Sequence, residues 1–377
     1  MIASSALLLL GTLFPSIGAF AQERPAPILS PQVDADRRVT FRLRAPAARS
    51  VTVVGEWDSK SYPLVKDEAT GVWSVTLGPV APDLYGYSFR VDGLFLLDSA
   101  NRRIKPMRSP TTSVLDMPGT KPTPCDPLPG IARGVVHLHD YESKPLGRRR
   151  LRVYTPAVYE KERNARFPVL YLFHGSGDNE ATWTEFGRAN VILDNLIASG
   201  AVKPMVVVMT DGHAVGSGEP EGRARNVIAF EQDLLEAVLP LAESHYRIEA
   251  DRDHRAIAGL SMGGNQSLLV GLNHRDRFAW IGGMSSAIRD TAPLDPFFAR
   301  REQDDKRSPI RLLWFAIGKD DFLLAQNRAF DALLTEKKVP HEYVETEGGH
   351  SWPVWRRYLA VLAPRLFTAS RPAVSAR

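Results

Sequence analysis

Cysteine is almost absent from this chain of 377 residues, since Cys125 is its sole thiol. One cysteine cannot close an internal disulfide, and it cannot form a paired-cysteine metal site. Cys125 also lies in a proline-rich stretch with no histidine nearby in sequence, which argues against a catalytic thiol at this position.

A dense basic tract is also missing, and the formal net charge is only +4. Residues 148–150, Arg-Arg-Arg, form the one compact basic cluster, and such a cluster suits a solvated strand end or hairpin. Without basic residues interleaved with aromatic ones, nothing predicts a nucleic-acid partner.

No segment has about 18 consecutive apolar residues, so nothing predicts a confident membrane span. The short apolar run 6–14, followed by Ala-Phe-Ala at 19–21, predicts a secretory signal over residues 1–21 that is cleaved before Gln22. A positively charged start is missing, which keeps an uncleaved anchor as the alternative. We expect a secreted or periplasmic protein without membrane contact after cleavage. The oligomeric state is left open.

Cofactor motifs are missing as well. The glycines that follow His174 are not closed by Gly-Lys-Ser/Thr, and no Gly-x-Gly-x-x-Gly opens a helix, so neither a phosphate-binding loop nor a dinucleotide fold is indicated. There is no His-Glu-x-x-His. The sequence therefore predicts no cofactor and no metal ion.

The patterns that are present divide the chain in two. Residues 29–117 hold short alternating runs bounded by turns, which predict an immunoglobulin-like β-sandwich. Residues 118–130 are rich in proline and predict a linker. In residues 131–370, apolar strands alternate with helical patterns, which predicts an α/β fold with a mostly parallel sheet. The strand patterns cover residues 167–173, 205–209, 255–260, 311–317 and 341–344, and the helical patterns cover residues 228–246, 262–272, 326–337 and 355–366.

Residues 259–263, Gly-Leu-Ser-Met-Gly, are the sole Gly-x-Ser-x-Gly of the chain. They fall where a predicted strand ends and a predicted helix begins, which is the context of a nucleophile elbow. Ser261 would then project from the sheet edge as the nucleophile. The backbone N–H of Met262, at the start of the helix, could donate to a developing oxyanion.

A serine nucleophile needs a base and an acid that orients the base. Of the nine histidines, His350 is the leading candidate for the base, because it lies in a loop between a predicted strand and the last helix. His174 is the main alternative, but it ends the strand 167–173 and precedes glycines, which suggests another role. Either Asp320 or Asp321 follows another strand and would be the acid. The chain order serine, aspartate, histidine is that of the α/β-hydrolases.

Glycines after the strand 167–173 expose backbone N–H groups around His174, where a second oxyanion donor is expected. Trp183 and Trp352 lie near these motifs. We expect them to contact the substrate, and core packing is the alternative.

Four motifs occur in order along the α/β region: Tyr-Thr-Pro at 154–156, the strand and His-Gly at 168–175, Gly-Leu-Ser-Met-Gly-Gly at 259–264 and Gly-His-Ser-Trp at 349–352. As a set they resemble the esterase D-like family, whose carbohydrate-esterase family 1 branch includes feruloyl and acetylxylan esterases. In that family the acid follows a Gly-x-x-Asp spacing, which implies Asp321 here. The resemblance also implies that the oxyanion donors are the N–H groups of Met262 and of Gly175 or Ser176.

The N-terminal region contains the strand pattern at residues 39–46, Val-Gly-Glu-Trp at 54–57, Gly-Val-Trp at 71–73 and a second strand pattern at residues 85–93. Together these segments resemble the carbohydrate-binding modules of family 48. The resemblance implies a module that is also found in starch enzymes. Whether Trp57 or Trp73 binds sugar therefore stays open.

The residues and the resemblance together predict a secreted serine ester hydrolase that acts on acylated plant polysaccharide or its oligosaccharides, with feruloyl esterase as the leading activity. The alternatives are an acetylxylan esterase, an enterobactin-type siderophore esterase and an acyltransferase. A non-catalytic carbohydrate-binding protein is the alternative of a different class.

Overall fold

The structure is a computed structural model that describes residues 26–215 and 222–368. The signal peptide predicted over residues 1–21 lies outside the described residues. Among the helices that the structure describes, none combines the length and the apolar character needed to cross a bilayer.

The N-terminal strands form two antiparallel sheets that pack face to face. One sheet has the order β1-β2-β6-β5, and the other has the order β4-β3-β7-β8, with β9 also pairing with β7. The core between them contains Phe41, Tyr87 and Phe89. Trp73 is buried in this core, and Trp57 stacks on Phe41 at 5.4 Å. The strands are β1 (Gln32–Val33), β2 (Val39–Arg44), β3 (Val51–Gly55), β4 (Ser61–Pro63), β5 (Val65–Asp67), β6 (Val72–Leu77), β7 (Asp83–Val91), β8 (Leu94–Leu96) and β9 (Ser113–Met117).

The remaining strands form one sheet of eight in the order β10-β11-β13-β12-β14-β15-β16-β17. The β10·β11 and β11·β13 pairs are antiparallel, and every pair from β13 onward is parallel. The strands are β10 (Val135–Ser143), β11 (Gly147–Thr155), β12 (Val169–Phe173), β13 (Val206–Thr210), β14 (Arg255–Leu260), β15 (Trp280–Met284), β16 (Leu312–Gly318) and β17 (Glu342–Thr346).

Two buried clusters, one on each face of this sheet, pack it against helices. Strand and helix layers of this kind, preceded by a β-sandwich, confirm the predicted α/β architecture. The helices are α1 (Thr182–Glu185), α2 (Ala189–Ala198), α3 (Gly222–Asp233), α4 (Leu239–His245), α5 (Met262–Asn273), α6 (Asp295–Arg307), α7 (Leu324–Glu336) and α8 (Trp352–Leu362).

The helix expected over residues 228–246 is divided in the structure. A π-helical segment, Leu234–Val238, separates α3 from α4. Pro240 lies in the first turn of α4 and has no N–H to donate to the preceding turn, so a regular α-helix cannot run through it.

Six elements of the α/β domain had no counterpart in the predicted strand and helical patterns, namely β10, β11, β15, α1, α2 and α6. The strand β15 is Trp-Ile-Gly-Gly-Met, and glycines obscure both alternation and β-propensity. The arginines at 148–150 lie in β11, within the hairpin that β10 and β11 form. Arg148 and Arg150 are exposed, as expected of a solvated cluster, but the prediction is wrong for Arg149, whose side chain is only 9% exposed and pairs with the buried Asp233 at 3.2 Å.

Residues 118–130 have no regular strand or helix, but they are held on the α/β domain. The Asn195 side chain on α2 donates to the carbonyls of Pro124 and Asp126, each at 2.9 Å. Cys125 is buried in the core on the same face. A proline-rich linker is therefore present here as a packed connection, not as a free tether.

Candidate active site

Ser261 is the single residue between the end of β14 and the start of α5. Its backbone has φ 53° and ψ −112°, a region that L-residues rarely adopt. The N–H of Ser261 donates to Met284 O at 2.8 Å, and Ala287 N–H donates to Ser261 O at 3.0 Å. These bonds from neighbouring residues hold the strained turn in place.

The glycines on both sides of the turn allow the backbones of adjacent segments to touch. A Cβ on Gly263 would lie 2.4 Å from His174 O, and one on Gly259 would lie 2.5 Å from the Gly263 carbonyl carbon. Both distances are far shorter than van der Waals contact, so the turn can close only with glycine at these positions.

Ser261, His350 and Asp321 lie in hydrogen-bonding series. The Ser261 Oγ is 3.0 Å from His350 Nε2, and His350 Nδ1 is 2.9 Å from Asp321 Oδ2. The Asp321 side chain is 0% exposed and also accepts from Leu323 N–H at 2.9 Å, whereas Asp320 is exposed. A carboxylate that faces Nδ1 keeps the proton on that nitrogen, which leaves Nε2 free to accept from the serine hydroxyl.

Three backbone N–H groups near Ser261, those of Gly175, Ser176 and Met262, donate to no partner among the described residues. A Cβ on Gly175 would lie only 3.3 Å from the Ser261 Cβ, so this loop runs directly past the nucleophile. Unused donors beside a serine nucleophile can stabilise an oxyanion that forms there.

His174 is not a member of the triad and instead holds the loop that follows β12. Its Nε2 accepts from Gly212 N–H at 2.9 Å, so its Nδ1–H donates to Gly175 O at 2.8 Å. The ring is buried, as a structural histidine at the end of β12 should be.

The structure contradicts the prediction that Trp183 and Trp352 contact the substrate. Trp183 is 1% exposed and Trp352 is 0% exposed, and their rings pack edge to face at 5.0 Å. Trp352 is the first residue of α8 and points into the core under the His350 loop. Both rings pack in the core beneath the active site, and neither has exposed surface that a ligand could contact.

Phe322 is the aromatic side chain that sequence reasoning missed. It is 72% exposed, and its ring centroid lies 4.5 Å from that of His350. Trp355 packs on the same imidazole at 4.9 Å and is buried. The position of Phe322 directly after Asp321 was the available signal, but sequence does not tell which aromatic ring stays in solvent.

His213 accepts from Gly177 N–H through Nε2 at 3.1 Å and so contacts the loop after His174. Burial lowers the pKa of His213 to about 4. Between pH 6.5 and 4 the unfolded chain therefore binds a proton at this histidine that the folded chain does not, and the free energy of unfolding should fall as the pH falls.

We expect this histidine to contribute about 1–2 kcal/mol to that loss, after allowing for its partial exposure. The measurement is chemical denaturation of wild type and of His213→Asn at several pH values. The variant should lose less stability than wild type between pH 6.5 and 4. Parallel curves for the two proteins would contradict the assignment.

A group of possible metal ligands that the sequence did not suggest lies at the other end of β14. The ligand atoms of Glu249, Asp251 and His254 come within 4.8 Å of one another. The two ring nitrogens of His254 lie 2.6 Å from Glu249 Oε2 and 2.7 Å from Asp251 Oδ2, so the imidazole already bridges both carboxylates. This cluster precedes the strand that Ser261 follows and takes no part in the site.

A serine on a strand–helix elbow, with a histidine and a carboxylate from later strand ends of a mostly parallel sheet, defines an α/β-hydrolase. The model of the family described as "Putative esterase" matches residues 143–366, which is more than half of the chain. The chain belongs to this esterase family. The model of carbohydrate-binding module 48, the isoamylase N-terminal domain, matches residues 29–107.

Individual relatives agree with the family. An endo-1,4-beta-xylanase/feruloyl esterase of Xylanibacter ruminicola is 28% identical over 349 residues, which are 89% of this chain and 46% of the relative. The solved structure of a ferulic acid esterase is 28% identical with a TM-score of 0.54 and covers 63% of this chain and 99% of its own. The chain spans about half the length of the curated relatives it matches.

An enterobactin esterase from Shigella flexneri has the same fold over both domains. The match has a TM-score of 0.62 and covers 88% of this chain and 93% of that structure. The identity is 19%, so this likeness concerns the fold alone.

Proposed function

We propose that this protein is a serine carboxylic-ester hydrolase that releases hydroxycinnamate, with feruloyl groups as the leading case, from acylated plant polysaccharide. The observation that carries the proposal is the hydrogen-bonded series Ser261–His350–Asp321 beside unused backbone donors. Membership of the esterase family supports the ester, and the named feruloyl esterases among the relatives support the acyl group.

In the first half-reaction, Ser261 Oγ attacks the ester carbonyl carbon while His350 Nε2 takes the hydroxyl proton. The carbonyl oxygen becomes an oxyanion, to which the N–H groups of Met262 and of Gly175 or Ser176 donate. His350 then gives its proton to the leaving sugar alcohol as the carbon–oxygen bond breaks, which leaves an acyl-enzyme. Asp321 keeps the imidazole oriented and stabilises its charged form.

In the second half-reaction, water replaces the alcohol. His350 takes a proton from water as the water oxygen attacks the acyl carbon. The tetrahedral intermediate then collapses: the bond from the acyl carbon to Ser261 Oγ breaks, His350 returns its proton to Ser261 Oγ, and the free acid leaves. The same donors hold the second oxyanion. The products are one carboxylic acid and one free sugar hydroxyl, so the reaction balances without a cofactor.

Phe322 is the side chain we propose for recognition of an aromatic acyl group. Its ring is exposed beside His350, and a phenyl propenoyl group could lie against it in an offset or edge-to-face arrangement. Such aromatic pairs contribute about 0.5–1.5 kcal/mol beyond the area they bury.

We expect Phe322→Ala to reduce kcat/KM for methyl ferulate by about 10-fold and to change it less than 2-fold for p-nitrophenyl acetate, since the lost aromatic contact is absent from acetyl esters. Phe95→Ala is the matched control, because Phe95 is a half-exposed phenylalanine on β8 of the sandwich. Equal losses on the two esters would show that Phe322 does not select the acyl group.

The experiment that tests the activity is a panel of esters with a covalent probe. Wild type should hydrolyse methyl ferulate and feruloylated arabinoxylan fragments, and a fluorophosphonate should label Ser261 stoichiometrically. Faster turnover of acetylated xylan or of ferric enterobactin would reassign the substrate. Absence of both turnover and label would favour a carbohydrate-binding protein that uses the hydrolase fold as a scaffold.

We also propose that the protein acts outside the cytoplasm, where polysaccharide substrates are found. The signal predicted over residues 1–21 supports this placement. Fractionation of expressing cells, with N-terminal sequencing of the recovered protein, should find it in the periplasm or the medium starting near Gln22. An intact Met1 in the cytoplasm would contradict it.

A further inference from the structure

The loop after β12 carries proposed oxyanion donors but contains little that could fix its own shape. Gly175 and Gly177 lie within it, and Gly177 has φ +85°. A loop with two glycines has many conformations available, and displacement of a catalytic group by about 1 Å can cost 10²-fold in rate. Contacts from outside must therefore hold the donors in place.

One such contact is the bond from Gly177 N–H to His213. The others come from four consecutive residues of the N-terminal sandwich, Lys105 to Arg108, which we name the brace. Arg108 N–H donates to Gly177 O at 3.0 Å. Thr182 Oγ1, at the start of α1, donates to Pro106 O at 2.8 Å. The brace thus contacts the loop and the start of the helix that follows it.

Lys105 adds an ion pair to these contacts. Its Nζ lies 2.9 Å from Asp178 Oδ1, and the two side chains are only 11% and 5% exposed. Among the described residues, no group other than the Lys105 ammonium pairs with Asp178 Oδ1, so Lys105 supplies the charge that compensates this carboxylate oxygen. The ammonium also lies 5.4 Å from the Phe186 ring centroid and 5.5 Å from that of Trp352.

The brace is itself anchored in the sandwich. Ile104 bridges to Ser113, the first residue of β9, and Lys105 N–H donates to Thr112 O at 2.9 Å. The segment at the start of β9 therefore holds the brace in place, and the brace holds the loop beside Ser261.

We propose that the sandwich domain positions the oxyanion hole, with Lys105 acting as a positioning residue through Asp178. This inference rests on the proposed ester hydrolysis, and it assigns the N-terminal domain a part in the chemical step that is separate from any binding of carbohydrate. Breaking a buried ion pair leaves one charge uncompensated, so the loop should leave its productive geometry when either partner is neutralised.

The test compares Lys105→Met, Lys105→Arg and Asp178→Asn with wild type, all as full-length chains, on p-nitrophenyl acetate. We expect Lys105→Met and Asp178→Asn to lower kcat by about 10- to 100-fold with KM changed less than about 3-fold, because one displaced donor affects the transition state more than the bound ester. Lys105→Arg keeps the charge and should recover most of the rate.

A second readout separates positioning from general damage. The affinity for a phenylboronic acid, which forms a tetrahedral adduct on the serine, should fall in parallel with kcat. Asp83→Asn is the matched control, because it breaks a different interdomain ion pair, from Asp83 to Arg356 at 2.8 Å, without touching the loop. It should keep kcat and boronate affinity within 2-fold of wild type.

Wild-type kcat and boronate affinity in a folded Lys105→Met, or an equal loss in Asp83→Asn, would overturn the proposal. If Lys105→Met does not fold, Asp178→Asn, with an amide of nearly the same size, decides the question in the same way. If wild type shows neither turnover nor fluorophosphonate label, ester hydrolysis fails. The brace is then judged by amide hydrogen exchange at residues 174–178, which must be faster in the variants than in wild type.

Discussion

We expect Ser261→Ala to lower kcat on methyl ferulate and on p-nitrophenyl acetate by about 10⁵- to 10⁶-fold, with little change in KM. The reason is that His350 Nε2, 3.0 Å from the Ser261 Oγ, is left without a hydroxyl to deprotonate, so no acyl-enzyme can form. Residual activity above the rate in water should come from the N–H donors and substrate binding.

Several controls accompany this variant. Ser199→Ala removes an exposed hydroxyl at the end of α2 and should keep the wild-type rate. Thermal unfolding checks that Ser261→Ala is folded. Alanine also has a Cβ, so the strain of the φ of +53° at this position stays in the variant. Turnover near the wild-type value, or fluorophosphonate labelling that survives the substitution, would remove Ser261 from the mechanism.

The second large effect is expected at Asp321. Asp321→Asn should lower kcat by about 10³- to 10⁴-fold, because an amide in place of the buried carboxylate no longer favours the proton on Nδ1 and no longer stabilises the charged imidazole. The size of the side chain is preserved, and Leu323 N–H can still donate to the amide oxygen. The loss should therefore appear in the rate and not in folding.

The adjacent residue supplies a matched control for this prediction. Asp320 is exposed and its carboxylate makes no contact with His350, so Asp320→Asn should change kcat less than 2-fold. Measurement of kcat for both variants on one ester, with pH profiles, distinguishes them. Equal effects at the two positions would mean that the Asp321–His350 contact is not what supports the rate.

Most of the fold that could be predicted came from local sequence patterns, in which residues close along the chain indicate a strand or a helix. Strand 255–260 was predicted at the bounds that β14 has, because an apolar run between polar turns is a local signal. Glycine-rich β15 gave no such signal. The interruption between α3 and α4 has a local cause in Pro240, but its π-helical geometry does not follow from sequence spacing.

At the site, the sequence alone determined the elbow and the chain order of serine, acid and histidine. Glycines at 259 and 263 and a strand–helix boundary are local features that mark Ser261. The choice between Asp320 and Asp321 is different, because spacing left it open and a family resemblance pointed to Asp321. Only the structure shows which carboxylate is buried against His350.

Tertiary structure alone decided which aromatic rings face solvent and which loop the sandwich touches. Trp352 and Phe322 are both aromatic and both close to triad residues in sequence, yet one is fully buried and the other is exposed. The pairing of Lys105 with Asp178 joins two domains. Residue patterns report on neighbours along the chain, whereas burial and charge pairing between distant segments depend on how whole sheets and helices pack, which no local pattern records.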